Sequence, residues 1–223
     1  MTNILYIHGM GGGADSRIPS ILKDWFSSQG GGCCDFHQDV NLVCRTYPFD
    51  PQAAHKLIMS WVEELNPSVV IGESLGACHA LRIPGVRRVF VSPSLPGALR
   101  LGRWAWASKI PFVRTALENK FKPKNGDRQK LEFRFDILRN YREHYREAIA
   151  SVRPGDVDFA FFGTRDHYMK SGIVNPGQWK SIFGEDSLAY YEGSHYMEEE
   201  FISSLLIPKI AEILLSLQDS NKL

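Results

Sequence analysis

Long apolar runs are missing from this 223-residue chain. No window approaches the ~18 consecutive apolar residues that a membrane-spanning helix needs, and no membrane partner is expected. Cysteine is scarce: Cys33, Cys34, Cys44 and Cys78 show no C-x-x-C spacing and no disulfide-framework density. That pattern favours a reducing, cytoplasmic setting. Charge of one sign is lacking as well, since 26 Lys and Arg face 25 Asp and Glu for a net charge of +1. There is neither an internal repeat nor a low-complexity tract. The opening "MTNILYIHGM" has no basic region and no small-residue cleavage site, so it reads as a first strand rather than a signal peptide. What remains is the composition of an ordinary globular protein, 43% hydrophobic and 23% charged, and the economical reading is one domain over residues 1–223.

Short apolar runs alternate with amphipathic stretches, the pattern of βα units on a mostly parallel sheet with helices on both faces. Six strands are expected: Asn3–His8, Asn41–Phe49, Ser68–Gly72, Val86–Ser92, Val157–Gly163 and Ser187–Glu192. Asp50-Pro51 supplies a cap and first helical position, and Asn66-Pro67 ends that helix. The chain closes on a helix from about Met197, bent at Pro208. Between the fourth and fifth strands lie some sixty residues where a crossover needs only about a dozen. From Pro93 to Arg153 there are 14 Lys and Arg against 6 Asp and Glu, a net of +8 by subtraction. This stretch, about 93–153, is read as a helical cap over the carboxyl edge of the sheet, where ligands bind. Its long helix is expected to start near a cap at Asp127 and to bury Phe133, Ile137, Tyr141, Tyr145, Ala148 and Val152. Because its charges are interleaved with that apolar stripe, they read as a solvated outer face, and no nucleic-acid partner is expected.

The third strand runs into "VVIGESLGACHA". Gly72-Glu73-Ser74-Leu75-Gly76 fits G-x-S-x-G between a strand and a helix, which is the context of a nucleophile elbow. The bend is tight, so small residues are required two before and two after the serine. It lifts the Ser74 hydroxyl above the sheet edge and aims the Leu75 N–H at a developing oxyanion. A serine needs a base, and the base an orienting acid, in the chain order Ser, Asp or Glu, His. "FFGTRDHYM" places Asp166 after the fifth strand, and "YEGSHYM" places His195 after the sixth, both at the edge carrying Ser74. The glycine-rich "YIHGMGGGADS" after the first strand offers a second oxyanion donor, Met10 N–H first and Gly11 N–H next, with His8 as a prop of the loop.

On the strength of these motifs, the chain resembles an α/β-hydrolase whose first two strands are missing. "YIHGMGGGADSRIPSILKDWF", "IGESLGA", "GTRDHYM" and "EGSHYM" together are similar to the small bacterial single-domain hydrolases generally described as esterases. The resemblance implies the strand order 2-1-3-4-5-6 and carries over Ser74, Asp166 and His195 as nucleophile, acid and base. It implies cleavage of carboxylic esters or thioesters through an acyl-enzyme, with no cofactor and no metal. The Pro93–Arg153 segment has no fixed counterpart in the family pattern.

The rivals are weaker. His79 sits on a helix leading away from the hydroxyl, His167 merely adjoins Asp166, and Asp156 and Asp158 lie at the wrong end of their strand. Glu73 either tunes the site or fills a turn. "CDFHQD" alternates Cys33, Asp35, His37 and Asp39 as a formal metal face, but no second cluster accompanies it. Another chemistry on the same residues (a lyase or cofactor-free perhydrolase) stays open, as does a non-catalytic binding member of the fold. In the cap, Trp104, Trp106 and Phe112 are candidates to roof the pocket, with Arg100, Arg103 and Lys109 near its mouth; a satellite core is the alternative for these aromatics.

Overall fold

A computed structural model describes residues 2–28, 39–123, 125–153 and 158–220. Six parallel strands form its centre: β1 (Thr2–Ile7), β2 (Val40–Cys44), β3 (Val69–Glu73), β4 (Arg87–Val91), β5 (Asp158–Gly163) and β6 (Leu188–Tyr191). Their order is 2-1-3-4-5-6, as the resemblance implies. The strands read as near-continuous apolar runs because both faces are covered. Leu5, Ile7, Val70, Phe90, Ala160 and Phe162 point to one side, and Ile4, Tyr6, Ile71, Val89, Val91 and Phe161 to the other. The first face is covered by α2 (Pro51–Leu65), α3 (Ala77–Leu81), α4 (Leu95–Trp104), α6 (Phe135–Ala150) and α7 (Pro176–Phe183). The second is covered by α1 (Arg17–Ser28) and α9 (Ile207–Ser220). The remaining helices are α5 (Pro111–Lys120) and the single turn α8 (Glu199–Phe201). Among the described residues no helix is long and apolar enough to cross a membrane.

Local chemistry sets the boundaries. Asp50 caps α2 by accepting from the Gln52 N–H at 3.0 Å, and Asn66 ends it in the left-handed region at φ 41°. The expected bend at Pro208 falls a turn earlier, as a π-turn over Ile202–Leu206. Proline cannot donate to a carbonyl one turn back, and the widened turn before it absorbs the missing bond. The long helix of the 93–153 segment begins at Phe135, with Arg134 at its cap position, not at Asp127. Residues 127–130 are drawn out instead to lie along the loop after β1, where Gln129 N–H donates to Gly12 C=O at 2.7 Å. The apolar stripe is as expected: Phe133, Ile137, Tyr141 and Ala148 are buried, and Tyr145 and Val152 pack partly against them. Cys33, Cys34, Asp35, His37 and Asp156 lie outside the described residues.

Helix α6 packs on α2 and α3 through a histidine cluster. His55 on α2, His79 on α3 and His144 on α6 approach with ring centroids 4.1 Å apart for His79–His144 and 5.9 Å for His55–His79. Arg82 lies 2.8 Å from His144 Nδ1, to which it donates, while pairing with Glu147 at 3.0 Å. Tyr47 and Tyr141 close the cluster's sides. His55 Nδ1, His79 Nδ1 and His144 Nε2 are buried without a hydrogen-bond partner. Among the described residues no His, Cys, Asp and Glu grouping could hold a metal ion, this one included.

Burial, followed by the neighbouring cations and rings, pushes His55 down to about 4 and His144 down to about 3, with His79 also well below the ordinary range. The folded protein therefore keeps all three neutral while the unfolded chain protonates them near ~6.5. Their contribution to stability is complete above that pH and is lost as pH falls from there through about 4 and about 3. Thermal melts should show Tm declining steadily from about pH 6.5 downward, with a shallower slope in His79→Leu. A wild-type Tm that stays level down to about pH 4.5 would contradict this account.

Candidate active site

Strand β3 ends at Glu73, and the chain turns at once through a 3-10 turn, Ser74–Gly76, into α3. Ser74 takes φ 50°, a left-handed conformation uncommon for a side-chain-bearing residue. The glycines on either side make that bend possible. A Cβ on Gly76 would sit 2.5 Å from the carbonyl oxygens of Ile7 and His8, and one on Gly72 would sit 2.9 Å from Ala80 Cβ. The turn is thus pressed against the end of β1, and α3 against β3. Ser94, at the carboxyl end of β4, braces the bend: its N–H donates to Ser74 C=O at 2.9 Å and its hydroxyl lies 3.2 Å from Ser74 Oγ.

Three side chains from three strand ends meet here. His195 Nε2 lies 2.9 Å from Ser74 Oγ, and His195 Nδ1 lies 2.7 Å from Asp166 Oδ2. With Nδ1–H donating to the carboxylate, Nε2 is left to accept from the serine hydroxyl. Asp166 is held by its second oxygen, which accepts from Tyr168 N–H at 2.8 Å. Both Asp166 and His195 are buried, at 3% and 4% exposure, while Ser74 opens to a cavity of about 690 Å³. The loop carrying His195 is tied down by Tyr191 O–H to Ser194 C=O at 2.8 Å and by Glu198 accepting from Ser194 N–H at 3.0 Å.

The loop after β1 lies against the bend, so close that a Cβ on Gly9 would sit 3.0 Å from Ser74 Cβ. Met10 and Leu75 line the cavity beside Ser74. Gly11 N–H donates to Gln129 Oε1 at 3.1 Å, whereas no such partner is seen for Met10 N–H among the described residues. The positive φ of Gly11, 73°, serves the turn closed by Gly12 N–H to Gly9 C=O. His8 props the loop, stacked on Tyr47 at 4.1 Å with Nδ1 2.8 Å from Gly9 C=O; Tyr47 O–H donates to His8 C=O. Burial pushes His8 down to about 4, so it stays neutral.

Of the cap aromatics, Trp104 lines the cavity and Trp106 and Phe112 do not. Trp106 turns outward onto Phe135 and Lys109, and Phe112 is 76% exposed. For Phe112 the helical register explains this: α5 directs Leu117 and the following Phe121 inward, and Phe112 falls on the opposite side. Phe121, absent from the expected set, completes the apolar wall with Leu75, Leu101 and Ile173. Arg100 reaches the cavity while Arg103 and Lys109 do not. Glu73 also lines it and accepts from Tyr6 O–H at 2.9 Å. His79 belongs to the buried histidine cluster, and His167 is exposed, its ring tilted at 39° to that of Tyr168.

Two further residues shape the site. Ser94 had a signal, a serine at the carboxyl end of a central strand. Gln129 had none: one glutamine in a basic segment is 2% exposed and holds Gly11 N–H, Gly12 C=O and Pro48 C=O together.

No family model matches the chain, and no curated protein does. Solved structures do match it. A monoacylglycerol lipase from Paleococcus ferrophilus is 17% identical with a TM-score of 0.60, over 96% of this chain and 94% of that one. A carboxylesterase from Nitrososphaera gargenis is 13% identical with a TM-score of 0.57, over 96% and 92%. An esterase from Exiguobacterium antarcticum is 11% identical with a TM-score of 0.54, over 97% and 91%. The chain has the α/β-hydrolase fold.

If the bend depends on the approach of Gly76 to β1, Gly76→Ala should destabilise the protein by about 3 kcal/mol or more, since both atoms it meets are backbone. Gly97→Ala is the control: its Cβ would meet Ile173 Cγ2 at an ordinary 3.4 Å. It should leave stability unchanged or raise it by up to ~1 kcal/mol. Urea denaturation of the two variants measures both, and equal stabilities would refute the packing argument.

Proposed function

We propose that the protein is a serine hydrolase that cleaves carboxylic esters, thioesters included, through an acyl-enzyme. The observation carrying this reading is the unbroken hydrogen-bonded relay from Ser74 through His195 to Asp166 at the mouth of a cavity. Solved structures of the same fold include proteins described as lipases and esterases, which is in keeping with it.

In the proposed reaction, His195 Nε2 removes the hydroxyl proton as Ser74 Oγ attacks the acyl carbon. Asp166 steadies the imidazolium. The oxyanion forms beside the Leu75 and Met10 N–H groups, which are its proposed donors. His195 then returns the proton to the leaving alcohol or thiol, and the acyl group stays on Ser74. A water molecule activated by the same imidazole releases the acid. The apolar wall of Leu75, Leu101, Trp104, Phe121 and Ile173 suits an acyl chain. We assign residues 93–153 to a cap insertion whose α4 and α5 end supplies Leu101, Trp104 and Phe121 of that wall and whose α6 packs into the core. Cys44 and Cys78 are buried free thiols, which fits a reducing, cytoplasmic setting.

Profiling p-nitrophenyl esters of increasing chain length beside acyl-CoA thioesters tests the reading, with Ser74→Ala as blank. Ser74→Ala and His195→Ala should each lower kcat by about 10⁴-fold or more, and Asp166→Asn by roughly 10⁴-fold, with small changes in KM. Turnover that survives Ser74→Ala, or wild-type turnover in His195→Ala, would overturn it. A protein inert to every ester yet labelled by a serine-directed probe would point to another chemistry on the same residues.

A further inference from the structure

The cap carries an apolar surface that the hydrolase reading does not use. Among the described residues eight large hydrophobic side chains are exposed, and four of them fall within nine residues: Trp104 at 39%, Trp106 at 70%, Ile110 at 53% and Phe112 at 76%. The other four are scattered along the chain, as is normal for a protein surface. Helix α5 buries none of its residues fully, although it lies in this apolar stretch. Exposed apolar side chains concentrated in one short segment are a candidate interaction surface.

The charges around it are of one sign. From Arg103 to Lys122 there are five basic residues (Arg103, Lys109, Arg114, Lys120 and Lys122) and one acidic residue, Glu118, a net of +4 by subtraction. Glu118 is loosely paired with Arg114 at 3.8 Å. Lys109 lies 4.1 Å from the Trp106 ring centroid and 4.2 Å from that of Phe135, so a cation is set into the apolar surface itself. Tryptophan and phenylalanine among lysines and arginines is the composition of a segment that lies in a lipid interface. A second copy of this chain would bring +4 against +4, which argues against self-association through the patch.

The patch also has a position. Trp104 belongs both to the exposed surface and to the cavity wall, and Phe121, one residue beyond α5, lines the same wall. Whatever covers the patch therefore abuts the cavity. We propose that the face formed by Trp104–Lys122 docks on an anionic lipid surface, apolar side chains entering the headgroup boundary and basic ones meeting lipid phosphates. This goes beyond the hydrolase reading and does not require it, and it replaces the expectation of no membrane partner, which rested only on the lack of a spanning helix.

Flotation of the full chain with vesicles tests the idea, using phosphatidylcholine alone and phosphatidylcholine mixed with phosphatidylglycerol. Binding to the mixed vesicles should be at least ~10-fold tighter and should weaken sharply in ~0.5 M NaCl. The double variant Ile110→Ser with Phe112→Ser should bind the mixed vesicles ~10-fold more weakly. Lys120→Glu with Lys122→Glu should remove the preference for anionic lipid. Both variants should keep wild-type Tm and wild-type turnover of a soluble ester, because these side chains stand off the cavity. Failure to float with mixed vesicles, equal binding to both compositions, or binding unchanged in either variant would overturn the proposal. So would a dimer in sedimentation that Phe112→Ser disperses. Absence of ester turnover would strike the hydrolase reading alone, since flotation is measured without a reaction.

Discussion

The left-handed bend at Ser74 is the constraint on which the rest of the site depends. A non-glycine residue in that region costs roughly 1–2 kcal/mol, and the surroundings must hold it there. They do so by contact from three directions: Gly72 lets α3 close onto β3, Gly76 lets the turn close onto β1, and Ser94 binds the serine's own backbone. With Ser74 fixed, its hydroxyl has one orientation relative to the carboxyl edge of the sheet. The ends of β5 and β6 then deliver Asp166 and His195 to it. The parallel strands make this convergence possible, since every carboxyl end lies on one edge.

The 93–153 segment contains parts of different character. Helix α6 is core: Ile137, Leu138, Tyr141 and Ala148 are buried against α2 and α3, and Tyr141 O–H donates to Phe49 C=O at 2.7 Å. Helix α5 is almost entirely surface. Between them, residues 127–130 lie along the loop that approaches the serine. Residue type marks the difference: α6 has period-spaced aliphatics and a tyrosine that are buried, whereas α5 buries none of its residues fully.

The sheet and the relay were legible because each rests on a local, chemically distinctive pattern. Apolar runs bounded by glycine or proline mark the strands, and G-x-S-x-G at a strand end marks the bend. Asp166 and His195 then follow the ends of β5 and β6, on the edge that carries Ser74. The cap was less legible. Asp127 looked like a helix start because it precedes a periodic stripe, but a tertiary contact with Gly12 and Gly13 claims that backbone first. Trp106 and Phe112 looked like pocket residues because large aromatics are usually buried; the turn after α4 carries Trp106 outward, and the rotation of α5 does the same for Phe112. Gln129 carries no pattern at all, since its importance lies in three backbone groups that come together only after folding.

Gln129 has a mechanical consequence. Through one buried amide, the cap is stitched to the loop bearing Met10, and also to Pro48 beyond β2. The cap therefore cannot lift as one lever without dragging that loop from Ser74. Any widening of the entrance has to hinge on the other side of the stitch, in α4 and α5, while residues 127–130 stay put. Under the proposed reading, access and anion stabilisation are in this way mechanically separated: widening at α4 and α5 leaves the loop beside the serine in place.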